Sequence, residues 1–401
     1  MLSVTRLLCD VATPGDDLRY GERTAANSRP APVHHRPVVV WNITRRCNLH
    51  CAHCYASSHD QDYPGELSTE QAKAVLDDLG GFKVPVLLFS GGEPTARPDL
   101  PELIAYARKA GVRPAVSTNG TLLTREMTQR LWDAGLDRVG ISIDGLEATN
   151  DKFRGAKGAF QAALAGIRNS IAIGMRVSLR LTMTKQNVDD LPGVFDLSEE
   201  EGVPRVCIYH LAYAGRGEKL LTFDLEHDRR REAVEFVFER TRQSHNGGTG
   251  LEVLTVDNHV DAPMLLLWSK MHAPERTEEI ERLLRRNRGN STGQGIGCID
   301  NLGNVHPDQF WWNQTVGNVL ERPFSEIWSD PENELLAKLR DRHSLLPERC
   351  RGCKWLSMCN GNLRVRAESA TGDTWGMDPA CYLTDEEIAG EAEAARTGAT
   401  A

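Results

Sequence analysis

The sequence lacks three features that would take it out of the class of soluble enzymes. No apolar run approaches the ~20 residues that a membrane span needs. The apolar stretch before Asp10 is too short for a signal-peptide core, so we expect a cytoplasmic protein without a membrane partner. Basic residues are outnumbered, 47 against 56 acidic ones, and the net charge of −9 argues against a nucleic-acid partner. Any anionic ligand must therefore be held by a few placed arginines or lysines.

The composition is otherwise that of a folded protein. The chain has 401 residues, of which 40% are apolar and 26% charged, enough for two to three domains with a sizeable core. Cysteine is the unusual residue, and in a reducing compartment clustered cysteines are more often metal ligands than disulfides. The ten cysteines are Cys9, Cys47, Cys51, Cys54, Cys207, Cys298, Cys350, Cys353, Cys359 and Cys381.

Strand-like runs alternate with helix-like segments through the first half of the chain. A capping box, Ser68 with Gln71, opens one helix, and glycines 111, 135, 174 and 202 follow later ones. Six strand–helix repeats predict an α/β fold, which we expect to be a partial (β/α)6 barrel with its site at the strand ends. The predicted strands are Val38–Ile43, Val84–Ser90, Arg113–Thr118, Arg138–Asp144, Met175–Thr184 and Arg205–Ala212.

The sequence texture divides the chain further. We expect a flexible arm over residues 1–37, the barrel over 38–220 and a bridging helical region over 221–295. A smaller cysteine-rich domain is expected over residues 296–385, followed by a flexible tail over 386–401.

The first cysteine cluster, Cys47-x3-Cys51-x2-Cys54, directly follows the first predicted strand. Three thiolates on one tight loop suit three irons of a 4Fe-4S cluster and leave the fourth iron open to a ligand. A structural zinc site or an electron-carrying cluster stays open as the alternative, although both usually have a fourth cysteine.

This triplet, placed after the first strand of a βα series, resembles the radical S-adenosylmethionine (radical SAM) superfamily. The second strand ends in Gly91-Gly92-Glu93-Pro94, similar to the family motif that holds the amino group of the cofactor's methionine. Glycines let the backbone approach a ligand, and a carboxylate pairs well with an ammonium group. The resemblance implies S-adenosylmethionine on a 4Fe-4S cluster and a 5′-deoxyadenosyl radical that abstracts hydrogen from an unactivated carbon.

Polar residues also end the third and fourth strands, in the segments STNG (117–120) and SIDG (142–145). Such residues are common turn formers as well, so a purely structural role stays open. By resemblance, the cofactor contacts are Ser117, Asn119 and Asp144 near the ribose, Ser142 and Arg154 at the carboxylate, and His53 beside the adenine.

The fifth predicted strand alternates between an apolar face and a polar face that carries Arg176 and Arg180. In a barrel wrapped by helices the apolar face looks outward, so both arginines would line the lumen and meet anionic groups. A solvated edge strand would alternate in the same way.

The second cluster comprises Cys350, Cys353, Cys359 and Cys381. Four thiolates make a closed site, for which zinc is the direct alternative. Together with the first half, this region resembles the SPASM auxiliary-cluster domain, whose full form has seven cysteines and two clusters.

Asp308 and Leu363 occupy two of those seven positions here, so the resemblance implies one auxiliary 4Fe-4S cluster on the four cysteines. Cys298 matches the first of the seven and is expected to be a small buried residue, with a role as a cluster ligand as the alternative. Cys9 and Cys207 have no partners by spacing and are treated as non-ligands.

Residues 36 to 385 resemble most the NirJ family of heme d1 biosynthesis, through CNLHCAHCYA, FSGGEP, CIYHLAYAGRG and GNVHPDQF. That resemblance implies a didecarboxysiroheme-type tetrapyrrole from which propionate side chains are removed, and a reducing donor such as a flavodoxin or ferredoxin.

A substrate with several carboxylates and an iron needs local cations, an axial ligand and flat surfaces. His210 is the candidate axial ligand, with a hydrogen-bonded core residue as the alternative. Core packing explains the candidate aromatics equally well. The candidate cations are Arg176, Arg180, Arg205, Arg216 and Lys219, and the candidate aromatics are Tyr209, Tyr213, Phe310, Trp311 and Trp312.

Two other functions stay open. The first is a maturase that modifies a ribosomally made peptide, although only 37 residues precede the first predicted strand, little for a leader-binding module. The second is an iron–sulfur electron carrier or scaffold, which leaves the GGEP segment and the polar strand ends unexplained.

Overall fold

A computed structural model describes residues 1–21 and 36–389 of the chain. One mixed sheet runs through these residues, in the order β1-β8-β7-β6-β5-β4-β3-β2-β9-β10-β11. The strands are β1 (Leu2–Ser3), β2 (Val38–Thr44), β3 (Leu87–Gly91), β4 (Pro114–Thr118), β5 (Arg138–Ser142), β6 (Arg176–Met183), β7 (Arg205–His210), β8 (Glu252–Val256), β9 (Ile296–Ile299), β10 (Asn304–His306) and β11 (Gly317–Asn318).

Helices connect the parallel strands and cover the outer face of the sheet. In the N-terminal half they are α1 (Val4–Cys9), α2 (Asp16–Tyr20), α3 (Thr69–Gly81), α4 (Leu100–Lys109), α5 (Arg125–Asp133), α6 (Glu147–Arg154), α7 (Ala159–Ala172) and α8 (Leu191–Glu200). In the C-terminal half they are α9 (His227–Asn246), α10 (Asp261–His272), α11 (Thr277–Asn287), α12 (Phe324–Ser329), α13 (Glu334–Arg340), α14 (Glu348–Arg351), α15 (Leu356–Cys359), α16 (Arg364–Thr371) and α17 (Asp385–Ile388).

The sheet from β2 to β8 is parallel and curved. Side chains from all seven of these strands or their first flanking residues line one cavity, so the strands wrap around it. The six predicted strands are present, and α3 begins with the predicted Ser68–Gln71 capping box. On β6 the outward residues Val177 to Met183 are buried at every second position, as the alternation predicted.

Two regions differ from the sequence predictions. The bridging region 221–295 is not only helical, because β8 adds a seventh parallel strand to the sheet beside β7. Residues 1–21 are not a loose arm, since β1 pairs with β8 and α1 buries Val4 and Leu7. Both elements are short, so their apolar residues are too few to show a period. Residues 22–35 of the predicted arm lie outside the described residues.

The cysteine-rich C-terminal region continues the same sheet. Strand β9 pairs in parallel with β2, placing Cys298 opposite Val40, and β10 and β11 extend the sheet antiparallel. Of the predicted tail, Glu386–Ile388 belongs to α17, which a Thr384 capping box opens, and residues 390–401 lie outside the described part.

Over the described ranges, no helix combines the length and apolar character that crossing a membrane requires.

Candidate functional site

The first three cysteines lie on the loop that leaves the carboxyl end of β2. Cys47 and Cys51 are buried and Cys54 is half-buried. Burial, together with the neighbouring Cys51 and Cys54 thiols, raises the pKa of Cys47 to about 12. Three thiols that influence one another on one short loop form a donor set suited to a metal cluster.

The segment after β7 holds this loop by its backbone. Arg216 donates from Nε to the Cys51 carbonyl and from Nη1 to the Ser58 carbonyl, both at 2.8 Å. Its backbone N–H donates to the Cys54 carbonyl at 2.9 Å. Gly215 has φ +55°, and a Cβ there would lie 2.3 Å from the Tyr55 carbonyl oxygen. The structure therefore gives Arg216, which the sequence suggested for substrate, a role in shaping the cysteine loop.

The GGEP segment packs against the start of the same loop. A Cβ on Gly91 or Gly92 would lie 2.2 Å from the carbonyl oxygen of Thr44 or Arg46, so only glycine allows this approach. Glu93 is fully buried and accepts hydrogen bonds from Thr95, Thr118 and the Asn119 backbone. These donors fix the carboxylate just beyond β3, and its pairing with the ammonium group of a cofactor stays a prediction.

A pocket of about 140 Å³ opens beside the cysteine loop at the strand ends. Asn119 does not line it, and donates instead to Asn48 at 2.9 Å. Of the predicted cofactor and substrate residues, it is lined by His53, Ser117, Ser142, Asp144, Arg154, Arg180 and His210.

An ion pair between Arg154 and Asp144 organises the pocket floor. Arg154 also donates from Nη1 to the Cys51 sulfur at 3.6 Å, and Asp144 accepts from the Thr182 backbone at 2.8 Å. His53 stacks on Phe153 with ring centroids 4.7 Å apart. Burial lowers the pKa of His53 to about 4, so the imidazole is neutral at pH 7.

Several buried polar atoms around the pocket have no hydrogen-bond partner among the described residues. They include His53 Nδ1, Arg154 Nε and Arg180 Nε. Leaving such groups unsatisfied is costly, and a polar ligand in the pocket would pair with them. The donor set and these atoms fit a cluster with a charged, polar cofactor beside it.

A larger cavity of about 670 Å³ fills the barrel lumen below this pocket. Arg180, Tyr209 and Phe310 line both spaces. Arg180 donates to Ser117 at 2.6 Å, and Gly140 makes room for it, because a Cβ at 140 would lie 2.2 Å from Arg180 Nε. The predicted placement of Arg180 in the lumen is confirmed.

Other predicted substrate residues divide between the cavity and the core. Arg176 and Arg205 line the larger cavity, whereas Lys219 lines neither space. Tyr213 donates to Asp224 at 2.5 Å, and Trp311 is fully buried. Trp312 lines neither space and stacks on His306.

His210 is a buried, hydrogen-bonded residue. Its Nε2 lies 2.9 Å from an oxygen of Asp261, and the other oxygen of Asp261 accepts from the Tyr382 hydroxyl at 2.7 Å. Because Nε2 is engaged, the structure favours the core alternative over an axial iron ligand at that atom.

The thiols of the four C-terminal cysteines lie near enough to act on one another electrostatically, and a shared cluster stays a prediction. Burial raises the pKa of Cys359, and the thiols of Cys381, Cys350 and Cys353 add to that effect. Arg349 donates to the Cys381 sulfur at 3.5 Å. None of the four lines either space described above.

The described residues contain no group of three or more acidic, histidine or cysteine side chains close enough to hold a single metal ion. A four-iron cube separates its thiolates more widely than one ion does, because each thiolate binds a different iron. Cys298 stays apart from the four, fully buried in β9 with its sulfur 3.3 Å from Asn42 Nδ2.

Sequence reasoning missed three arginines of the larger cavity, Arg19, Arg113 and Arg138. A sequence pattern could have identified Arg113 and Arg138, because an arginine stands at or directly before the first residue of each strand from β4 to β7. No local sequence pattern indicated that Arg216 would donate to carbonyl groups of the cysteine loop.

Comparison with known proteins agrees with this geometry. A family model described as the Radical SAM superfamily matches residues 41–198. The chain is 54% identical over 398 residues to the Fe-coproporphyrin III synthase of Methanosarcina barkeri, covering 97% of this chain and 99% of that protein. It is 46% identical over 354 residues to the pre-heme d1 synthase of Dinoroseobacter shibae, covering 88% and 87%.

The crystal structure of Streptococcus suis SuiB bound to precursor peptide SuiA has the same fold. The TM-score is 0.70 at 18% identity, over 87% of this chain and 76% of that one. The radical SAM family implies S-adenosylmethionine and a 4Fe-4S cluster as cofactors. The chain belongs to the radical SAM superfamily and is an enzyme related to heme-biosynthesis enzymes.

Proposed function

We propose that this enzyme removes carboxylate-bearing side chains from an iron tetrapyrrole of the didecarboxysiroheme type. The main support is that the small pocket at the cysteine loop is continuous with the 670 Å³ lumen cavity. That volume lies within the range of small-molecule sites, and arginines on its wall suit an anionic ligand.

Cys47, Cys51 and Cys54 would hold the first 4Fe-4S cluster. Together with S-adenosylmethionine, that cluster would supply reductive cleavage of the cofactor's carbon–sulfur bond, with one electron from a donor such as a flavodoxin or ferredoxin and methionine as the leaving group. Arg154 forms an ion pair with Asp144 beside the pocket, and its Nε, which has no hydrogen-bond partner among the described residues, suits the cofactor carboxylate together with Ser142. The neutral His53 ring suits stacking against a flat base.

Cys350, Cys353, Cys359 and Cys381 would hold an auxiliary 4Fe-4S cluster that exchanges an electron with the substrate. Two buried guanidinium groups, of Arg342 and Arg364, lie near enough to Cys359 to interact with its charge. Positive charge there offsets the negative charge of four thiolates on a cluster. Zinc, the alternative that the sequence left open, would need these thiols closer together than the structure has them, and the metal content of the purified enzyme separates the two.

Two products are candidates. The 54% identity to an Fe-coproporphyrin III synthase over nearly the whole chain favours iron coproporphyrin III. The sequence resemblance to heme d1 enzymes, with 46% identity to a pre-heme d1 synthase, supports propionate removal toward the heme d1 macrocycle as the second candidate.

The test is a turnover experiment with anaerobically reconstituted full-length enzyme. The enzyme is incubated with S-adenosylmethionine, a reductant and didecarboxysiroheme, and the products are separated by liquid chromatography with mass detection. We expect 5′-deoxyadenosine together with either candidate product, and neither when S-adenosylmethionine is omitted. A tetrapyrrole that is neither bound nor changed, while a candidate peptide is modified, would replace this proposal with the peptide-maturase function.

A further inference from the structure

Each of four consecutive parallel strands has an arginine at its first residue or directly before it. These arginines lie at the end of the barrel opposite the cysteine loop. Arg113 directly precedes β4, and Arg138, Arg176 and Arg205 are the first residues of β5, β6 and β7. All four line the 670 Å³ cavity, and we call them the basal arginine row.

The row is only partly neutralised by the protein. Arg205 donates to Glu252 at 2.7 Å, and Arg138 donates to Asp137 at 3.0 Å. The guanidinium groups of Arg113 and Arg176 have no hydrogen bond or ion pair with any residue in the described ranges, although the charge of Asp137 acts on both, and the Nε atom of Arg113 is buried without a partner. Two guanidinium groups are therefore available to a ligand in the cavity.

The arrangement is costly without an anion. Arg138 and Arg176 are direct cross-strand partners, and like charges in that position repel. Burial and the charge of Arg138 lower the pKa of Arg113, and the nearby carboxylate of Asp137 only partly offsets that effect. The carboxylate of Glu252, also on the cavity wall, is shared between Arg205 and Arg19. Positive charge is concentrated here although the whole chain has a net charge of −9.

The row also lies at a useful distance from the reacting end. Along β6, the rise from Arg176 to Arg180 is about 13 Å at the usual spacing of strand residues. Arg180 borders the pocket at the cysteine loop. A flat, multiply carboxylated ligand can thus meet Arg180 at one end and the row at the other.

We propose that Arg113, Arg138 and Arg176 bind the peripheral carboxylates of the macrocycle that are not removed. This inference rests on the proposed function and adds to it the site that sets the orientation of the substrate. Holding these carboxylates at the far end of the cavity turns another side chain of the ring toward the cysteine loop. A neutral peptide would leave the row unpaired.

The test compares binding of iron coproporphyrin III and of its tetramethyl ester by full-length, cluster-loaded enzyme, followed by Soret absorbance. The Arg113→Gln/Arg176→Gln double variant removes the two unpaired guanidinium groups. Arg130→Gln, an exposed arginine on α5 that lines neither space, is the matched control. Far-ultraviolet circular dichroism and iron content confirm that each variant is folded and loaded.

We expect the double variant to bind the free acid about 100-fold more weakly, since losing one charged hydrogen-bond donor typically costs about tenfold or more. Arg130→Gln should bind as the unaltered enzyme does, and Arg113→Lys/Arg176→Lys should recover most of the affinity. The ester, which has no charge for the row to bind, should bind the double variant and the unaltered enzyme equally.

Unchanged affinity of the double variant for the free acid would overturn the row as a carboxylate site, while the proposed function stands if turnover persists. An equal loss of affinity for acid and ester would overturn it as well, because packing rather than charge would then be responsible. If the unaltered enzyme neither binds nor converts an iron tetrapyrrole, the proposed function fails and this inference fails with it.

Discussion

The two cysteine regions of this enzyme are built in opposite ways. The first takes three thiols from one loop that backbone contacts of Arg216 hold, and a pocket with orphaned polar atoms lies beside it. The second gathers four thiols from three separate segments, among buried arginines and away from both spaces. The first region therefore lies beside a space that can admit a ligand, whereas the four thiols of the second border neither space. We call the first the open region and the second the enclosed region.

The largest effect is expected where the open region loses a thiol. Cys51→Ala should lower the iron content by about four per chain, because three cysteines are needed to hold that cluster. Formation of 5′-deoxyadenosine, measured by chromatography after reduction, should stop. Cys9→Ala, outside both regions, is the control and should behave as the unaltered enzyme. Undiminished 5′-deoxyadenosine from Cys51→Ala would erase the distinction between the regions.

The enclosed region should respond differently. Cys381→Ala is expected to keep cleaving S-adenosylmethionine, because the open region is intact, but to form no tetrapyrrole product. Electron paramagnetic resonance of the reduced protein should lose one of two cluster signals. Cys298→Ala removes a buried thiol outside the four and should keep both signals. Full conversion by Cys381→Ala would mean that the second region has no part in the reaction.

A smaller effect tests whether the two regions unfold together. Burial raises the pKa of Asp257 to about 7 against the opposing charge of the Met1 amino group, and charges of Asp308 and Arg366 from the C-terminal region also act on it. An unfolded aspartate loses its proton near its model value of 3.8, so between that pH and about 7 the folded state binds more protons and stability falls as pH rises.

Between pH 5 and 8, the free energy of unfolding of Asp257→Asn should decrease by about 2 kcal/mol less than that of the unaltered protein. Asparagine also tolerates the φ of +65° at this position. Urea unfolding at both pH values, followed by circular dichroism, measures the difference. A pH dependence equal to that of the unaltered protein would show that Asp257 ionises normally, and two separate transitions would show that the regions unfold independently.

The smallest effect concerns the hold on the open loop. Arg216→Gln removes the donors to the Cys51 and Ser58 carbonyls, so the loop should hold its cluster less firmly. We expect about tenfold slower 5′-deoxyadenosine formation, the cost of one or two lost charged hydrogen bonds. The auxiliary-cluster signal should be unchanged, and Arg229→Gln, at an exposed position of α9, serves as the control. Equal loss of both cluster signals would point to general destabilisation instead.

The sequence predicted the repeating part of the fold and the two cysteine groups because both are local patterns. Alternation along β6 and the capping box of α3 are recorded in neighbouring residues. Strand β8 and the N-terminal strand were missed, since each is stabilised by pairing with distant residues rather than by its own pattern.

The same limit applied to individual site residues. Glu93 and Arg216 stand in positions that suit a ligand by sequence, yet their partners are groups of this chain brought near by the fold. No local pattern records which carbonyl or amide a side chain will reach. The basal arginine row was visible in the sequence, but its meaning depends on a cavity that only the curved sheet creates.

The pairing of β9 with β2 has a practical consequence for dissecting the enzyme. Val39 to Trp41 pair with β3 on one side and with β9 on the other. Cutting the chain ahead of Ile296 would leave the free N–H and C=O groups of a buried apolar strand exposed to other molecules, a template for aggregation. The half that carries the first three cysteines should therefore be insoluble on its own, and the two halves must be studied in one polypeptide.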